Sequence, residues 1–127
     1  MITVKRAYET TTSSDGKRIL VERLWPRGIR KTSLQLDGWL KDVGPSTELR
    51  QWFSHDPAKW TEFRRRYSRE LDANPQAWQS ILGAAAGGKT VTLVYSSHDS
   101  EHNNAVALQE YLEKKMQRHS APRRKAA

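Results

Sequence analysis

Cysteine is missing from the 127 residues, which excludes a disulfide framework, a thiolate nucleophile and any cysteine-based zinc site. Long apolar runs are missing as well. Nothing approaches the roughly 20 residues a membrane helix requires, and the opening MITVKRAYET has no stretch of signal-peptide length, so a cytoplasmic location is expected. There is no GxGxxG or GxxxxGK[ST] loop and no internal repeat, so neither the dinucleotide fingerprint nor the P-loop applies. Hydrophobic residues are scarce, at 36% with a mean hydropathy of −0.84. Five Trp, four Tyr and two Phe nevertheless supply the large side chains that a disordered chain lacks. A single domain over about residues 1–117 is expected, long enough to bury one core.

The net charge of +8 suggests nucleic acid, but its location qualifies that. Residues 114–127 hold six cations and no acid, which leaves +2 for the body. The segment 118–127, ending HSAPRRKAA, is expected to be a disordered basic tail that could hold nucleic acid by counterion release without any specificity in the domain.

Along the chain, ITVKRAY (2–8) alternates as a first strand, and ETTTSSDG is turn-rich up to Asp15-Gly16. A second strand follows from Arg18 toward Leu24. The short link allows either an antiparallel hairpin or a parallel pair joined by a single helical turn. Residues 32–45 read as a loop with a short helix ended by Gly44-Pro45. Ser46 or Thr47 can cap a helix carrying Leu49, Trp52 and Phe53, and Asp56-Pro57 announces another, with Trp60, Phe63, Tyr67 and Leu71 on one face. Asn74-Pro75 repeats that device, ahead of a stripe of Trp78, Ile81, Leu82 and Ala85 closed by Gly87-Gly88. KTVTLVY (89–95) is apolar enough to be a central parallel strand, and after a polar loop AVALQEYLEKKM reads as a helix. The expectation is an α/β fold, a small three-layer domain with a mainly parallel sheet and four or five helices.

Two strand-end segments could carry chemistry. In RILVERLWPRGIRK (18–31), Trp25, Pro26 and Gly28 end a strand and crowd Arg23, Arg27, Arg30 and Lys31 together. Ligands of open α/β sheets bind outside the carboxyl ends of the strands, Arg offers a fork suited to phosphate or carboxylate, and Trp can cover a flat group. The same residues also fit a core plug beside a solvated turn, or a partner hot spot. The second segment, Ser96 to Asn104, lies between a buried strand and a helix N-terminus, where Ser96, Ser97 and Asn103 could hold anionic oxygens. His102 is the best candidate general acid or base, because an imidazole ordinarily titrates near neutrality. Equally, Asp99 or Ser100 could simply cap the helix. His98 and His102 lie four apart, but no HExxH pattern accompanies them, so neither a metal nor another cofactor is expected. In the run Arg64-Arg65-Arg66 with Arg69, Glu62 to Arg66 and Arg66 to Glu70 are four-residue spacings, so a paired, solvated helix face explains most of what could otherwise read as a nucleic-acid patch.

DGKRILVERLWPRGIRK, PSTELRQWFSHDPAKWTEFRRRYSREL and LVYSSHDSEHNNAVALQEYL together resemble the YeaO-like branch of the domain of unknown function 488 family, over about residues 3–113. The resemblance implies a small bacterial or archaeal α/β domain with a parallel sheet and no established activity. Its motif falls here on Asp15, Gly16, Arg18, Arg23, Trp25, Pro26, Arg27, Gly28 and Lys31, on Pro45, Ser46, Leu49, Arg50, Trp52 and Phe53, and on Tyr95, His102 and Asn103. Through it Arg50 joins the candidate ligand residues. The wider family tends to follow its last strand with a Cys and Glu loop leading into Cys-His-Arg. Here the region reads YSSHDSEHNN, so a thiol-based role does not transfer, and His98 stands where the branch often has Lys. The expected function is binding of an anionic, phosphate-bearing small ligand, a nucleotide or phosphate ester, with hydrolase-type chemistry conceivable through His102. The alternative is a nucleic-acid-binding accessory protein.

Overall fold

In the computed structural model, residues 1–117 are described in full and the backbone to Ala126. The tail expected over 118–127 therefore lies outside the fully described residues. Four strands, β1 (Ile2–Arg6), β2 (Lys17–Leu20), β3 (Gly38–Trp39) and β4 (Val91–Tyr95), form one sheet in the order β1-β4-β2-β3. Every pairing is parallel, with Ile2 opposite Val91 on one side of β4 and Ile19 opposite Leu93 on the other. β4 is central and all five of its residues are buried, as its unbroken apolar run requires. Of the two links foreseen between the first strands, the parallel one is realised, through a single 3-10 turn at Ser13–Asp15.

The side-chain alternation of the strands divides the interior. Val91, Leu93, Tyr95, Ile19, Val21 and Ile2 join the larger core, while Leu20, Val94 and Ala7 join a smaller one with Leu34. The larger core is covered by four α-helices: α1 (Thr47–Phe53), α2 (Trp60–Ala73), α3 (Gln79–Ala86) and α4 (Asn104–Ala126). Phe53 and Phe63 stack at 4.3 Å, and Phe63, Tyr67 and Leu71 are buried on one face of α2, as their spacing predicts. The third layer contains no α-helix among the described residues. It is the irregular crossover from β2 to β3, where Trp25, Ile29 and Leu36 pack against the smaller core.

The starts of the helices follow their capping residues. Ser46 Oγ accepts from the Leu49 N–H at 3.1 Å, and Asp56 accepts from the Ala58 N–H at 3.0 Å with Pro57 in the first position. Pro57 opens a 3-10 turn and α2 begins only at Trp60. Pro75 likewise opens a turn, but Asn74 makes no capping bond. Two expectations change. The segment 32–45 holds a two-residue edge strand and a 3-10 turn at Lys41–Val43 instead of a loop with a short helix. The second strand stops at Leu20 and leaves Leu24 60% exposed, because the chain turns away at the Trp25-Pro26 segment.

The amino end of β2 is braced by charge. The buried Asp15 carboxylate accepts from Lys5 Nζ (3.0 Å), Arg18 Nη1 (2.6 Å) and the Thr12 hydroxyl (2.9 Å), while its carbonyl accepts from Thr92 Oγ1 (2.6 Å). Arg18, also buried, donates through Nε to the Gln35 carbonyl at 2.7 Å. Burial pushes the Asp15 carboxyl up, but the bonds from Lys5, Thr12 and Arg18 outweigh it and hold it well below the usual carboxylate range. Beside it, Gly16 has φ 63°, and a Cβ there would lie 2.3 Å from the Thr90 carbonyl oxygen, so only glycine closes this turn.

Candidate functional site

The carboxyl ends of β1, β2 and β4 open onto three loops that Arg6 and Tyr8 tie together. Arg6 Nε donates to the Ser97 carbonyl at 2.9 Å, and its Nη2 donates to His98 Nδ1 at 3.0 Å. The Arg6 guanidinium lies 4.5 Å above the Tyr8 ring, and the Tyr8 hydroxyl donates to the Arg27 carbonyl at 2.8 Å. Arg6 at the end of β1 and Tyr8 just beyond it thus bridge the segments 96–104 and 23–31, which follow the adjacent strands β4 and β2.

The centre of this edge is a residue that the sequence reading did not single out. Glu22 lies two residues beyond the end of β2 and is half-buried, and its Oε1 is enclosed without a hydrogen-bond partner among the described residues. Burial pushes its carboxyl up; hydrogen-bonding groups of Ser96 and the positive charge of Arg50 on α1 pull it back only in part. The Glu22 carbonyl accepts from Trp39 Nε1 at 2.6 Å, which fixes the backbone on the β3 side. Asn104, at the start of α4, donates to the Val21 carbonyl at 2.7 Å on the other. Arg23 is partly a brace, since its Nε donates to the Pro45 carbonyl at 2.8 Å.

The loop after β4 supplies an acid–imidazole pair. Asp99 accepts from the backbone N–H groups of Glu101 (2.9 Å) and His102 (3.0 Å), and its other oxygen lies 2.9 Å from His102 Nδ1. These backbone bonds, and then the imidazole, hold the Asp99 carboxyl below its ordinary range. The half-buried His102 ring meets Trp60 edge-on at 5.3 Å, so both the carboxylate and the indole fix its orientation. With Nδ1 turned to Asp99, Nε2 is the nitrogen left to work on a substrate proton. Among the described residues no three His, Asp or Glu side chains gather as metal ligands.

The sequence candidates therefore separate. Arg23 adjoins Glu22 in the chain, Ser96 and Arg50 act on its carboxyl, and His102 lies apart from them in the loop after β4, against Asp99 and Trp60. Ser97 and Asn103 are buried and engaged in structure: Ser97 Oγ accepts from the Asp99 N–H at 3.2 Å, and Asn103 caps α4 by accepting from the Val106 N–H at 3.0 Å. The cap of α4 is thus Asn103 and neither Asp99 nor Ser100. Trp25 donates through Nε1 to the Ile29 carbonyl at 2.7 Å and meets Trp39 edge-on at 5.2 Å, which makes it a plug of the smaller core. Lys31 lies 5.8 Å from the Trp39 ring, and Arg27 is exposed on the turn. Of the motif residues, Asp15 and Arg18 lie at the other end of β2, in the charge brace.

A family profile described as "Inactive DUF488-N3 subclade" matches residues 1–127. The chain belongs to this DUF488 subclade. Within DUF488 it is similar to the uncharacterized protein YeaO of Escherichia coli (strain K12), 43% identical over 111 residues that cover 87% of this chain and 96% of YeaO. It is also similar to the uncharacterized proteins Rv3073c of Mycobacterium tuberculosis (strain ATCC 25618 / H37Rv) and Mb3100c of Mycobacterium bovis. Each is 39% identical over 111 residues, covering 87% of this chain and 92% of the relative. No solved structure matches this DUF488 chain. No helix among the described residues is long and apolar enough to cross a membrane.

Proposed function

We propose that this protein binds an anionic, phosphate-bearing small ligand, a nucleotide or phosphate ester, at the carboxyl edge of its sheet. What supports the reading is position: Glu22, Arg23 and Ser96 follow the carboxyl ends of β2 and β4, where open parallel sheets receive ligands, and the positive charge of Arg50 on α1 acts on the Glu22 carboxyl there. Arg50 supplies an exposed fork of donors and Ser96 a hydroxyl, while Arg27 and Lys31 add positive charge along the rim. Hydrolase-type chemistry would run through the Asp99–His102 pair, and the subclade's description as inactive favours binding without turnover. Thermal melts with a panel of nucleotides and sugar phosphates test this. A ligand at a hundredfold excess over its Kd adds about 2.7 kcal/mol, and Arg50→Ala should remove the gain while Arg50→Lys restores part of it. Failure of every anion to raise the melting temperature of the wild type would overturn the reading.

A second reading rests on a groove of about 370 Å³ between α2 and α4, lined by Arg64, Arg65, Lys114 and Lys115 with Asp72 and Glu110. Its four cations face two acids, and the basic stretch of the sequence continues directly from it, which suits a nucleic-acid backbone. Intramolecular pairing opposes this, since Arg64 already reaches Glu110 at 2.9 Å and Arg65 reaches Glu62. Binding through this groove should weaken steeply with added salt and disappear in an Arg65→Glu, Lys114→Glu double variant. Binding at the sheet edge should be unaffected by the double variant and should weaken far less with added salt, since one or two exposed charges are screened there instead of a row of phosphates.

A further inference from the structure

The carboxyl edge presents a contradiction that a simple anion cradle does not resolve. The residue at its centre is an acid, and an incoming anion meets a carboxyl before it meets a full complement of cations. Asp15 at the other end of β2 shows what full compensation looks like here: a lysine, an arginine and a hydroxyl bind one carboxylate. Glu22 has far less. Its Oε1 is enclosed and unpartnered, and the groups that act on its carboxyl are Ser96, from the loop after β4, and Arg50, from α1. Arg50 is therefore asked to do two things, to balance Glu22 and to receive the ligand.

We propose that this corner binds its anion together with a proton, the anion taking the positive charge of Arg50 and the Glu22 carboxyl taking the proton from solvent. The inference rests on the anion-site reading above and adds the ionic form in which the complex exists. An anion beside Arg50 offsets the positive charge that acts on Glu22 in favour of its ionised form, and it adds a like charge of its own, while Arg23, the next residue, is turned to the Pro45 carbonyl. Both effects favour the neutral acid. A neutral Glu22 removes the repulsion, leaves only a carbonyl-type oxygen enclosed instead of a charge, and keeps Arg50 for the ligand. Burial already raises the carboxyl in the empty site, the same direction in which a bound anion acts. The chemistry is a protonation equilibrium alone: no covalent bond to the ligand forms, and the proton returns to solvent when the anion leaves.

The experiment is calorimetric titration of the full chain with inorganic phosphate, adenosine monophosphate and glucose 6-phosphate. It is run in buffers of different ionisation enthalpy, from mildly acidic to mildly basic pH. The probes' own second phosphate ionisation, at about pH 6, exchanges protons in every variant alike, so for the wild type the buffer-dependent heat should report up to about one proton taken up in excess of that common background. Affinity should fall toward a limit of about tenfold per pH unit on the basic side. Glu22→Gln, which fixes the neutral form, should bind as tightly as the wild type does in mild acid and should abolish that excess uptake, leaving only the probe's own proton exchange. Arg50→Ala, at an exposed position, should lose binding while melting normally. Binding by the wild type with no proton uptake beyond that of Glu22→Gln, or with the same pH profile in Glu22→Gln, overturns the proton coupling and leaves the anion site standing. Absence of binding by all three probes at every pH overturns both.

Discussion

Asp15 and Glu22 stand at opposite ends of β2, and the protein treats two carboxyls in opposite ways. Asp15 is buried at the amino end, saturated by Lys5, Arg18 and Thr12, and held below the usual range; Glu22 sits half-buried at the carboxyl end with one oxygen unpartnered and is pushed above it. Cations are abundant at both ends. The difference lies in what reaches each acid: at the amino end Lys5, Thr12 and Arg18 all bind the Asp15 carboxylate, whereas at the carboxyl end Ser96 and Arg50 act on Glu22 and leave its Oε1 without a partner among the described residues. A saturated buried acid holds structure, and an under-compensated one is available to a ligand or a proton.

The strongest way to break this contrast is Asp15→Ala, which leaves Arg18 charged, buried and without its carboxylate. We expect a loss of about 3 to 5 kcal/mol in urea unfolding, and a loss under about 1 kcal/mol would show that the network is not structural. Gly16→Ala, forcing a Cβ onto Thr90 in a left-handed turn, should cost more than about 1 kcal/mol. The pH dependence sharpens the comparison by sign. Because Asp15 is depressed in the folded state, its stabilisation is present above the ordinary carboxylate range and is lost as pH falls toward its folded value. Glu22, raised in the folded state, favours folding below the ordinary range, and that contribution is lost as pH rises through its folded value. Stability curves of Glu22→Gln should therefore lack the fall on the basic side and keep the acid fall, with a change at neutral pH within about 1 kcal/mol. The smallest effect is expected at exposed Arg27. Arg27→Ala should alter stability by less than about 1 kcal/mol, and should weaken anion binding less than Arg50→Ala. The reverse order would move the centre of the site out to the turn.

Much of this architecture was legible because it rests on local chemistry. The continuous apolar run at 91–95 reads as a central strand, and Asp56-Pro57 with Phe63, Tyr67 and Leu71 at helical spacing reads as a capped, buried helix. β3 was not legible: two residues make no period, and Gly38–Trp39 is a strand only because β2 offers it an edge. Trp25 was read as either stacking surface or core plug, and its neighbour Trp39 decides for the plug. Glu22 was hidden for a different reason. An acid next to Arg23 in a charged turn reads as solvated, and only the arrival of Ser96 and Arg50 from distant elements encloses it. The one available signal was an acid placed among four cations. Arg18 misleads similarly, since a strand arginine suggests an exposed face, whereas its charge is consumed internally by Asp15.

The order of the sheet carries a consequence for how the chain is made. β4 lies between β1 and β2, so Ile2 waits for Val91, and the N-terminal strand has no other neighbour in the sheet. At about 5 to 20 residues per second, synthesis leaves both early strands without their central partner for several seconds. Such unpaired edges invite pairing with other chains, and cations on a strand discourage it. β1 carries Lys5 and Arg6, and β2 carries Lys17 and Arg18. The charges that such exposed edges call for are the ones that the finished sheet uses as ties, Lys5 and Arg18 to Asp15 and Arg6 to the Ser97 carbonyl.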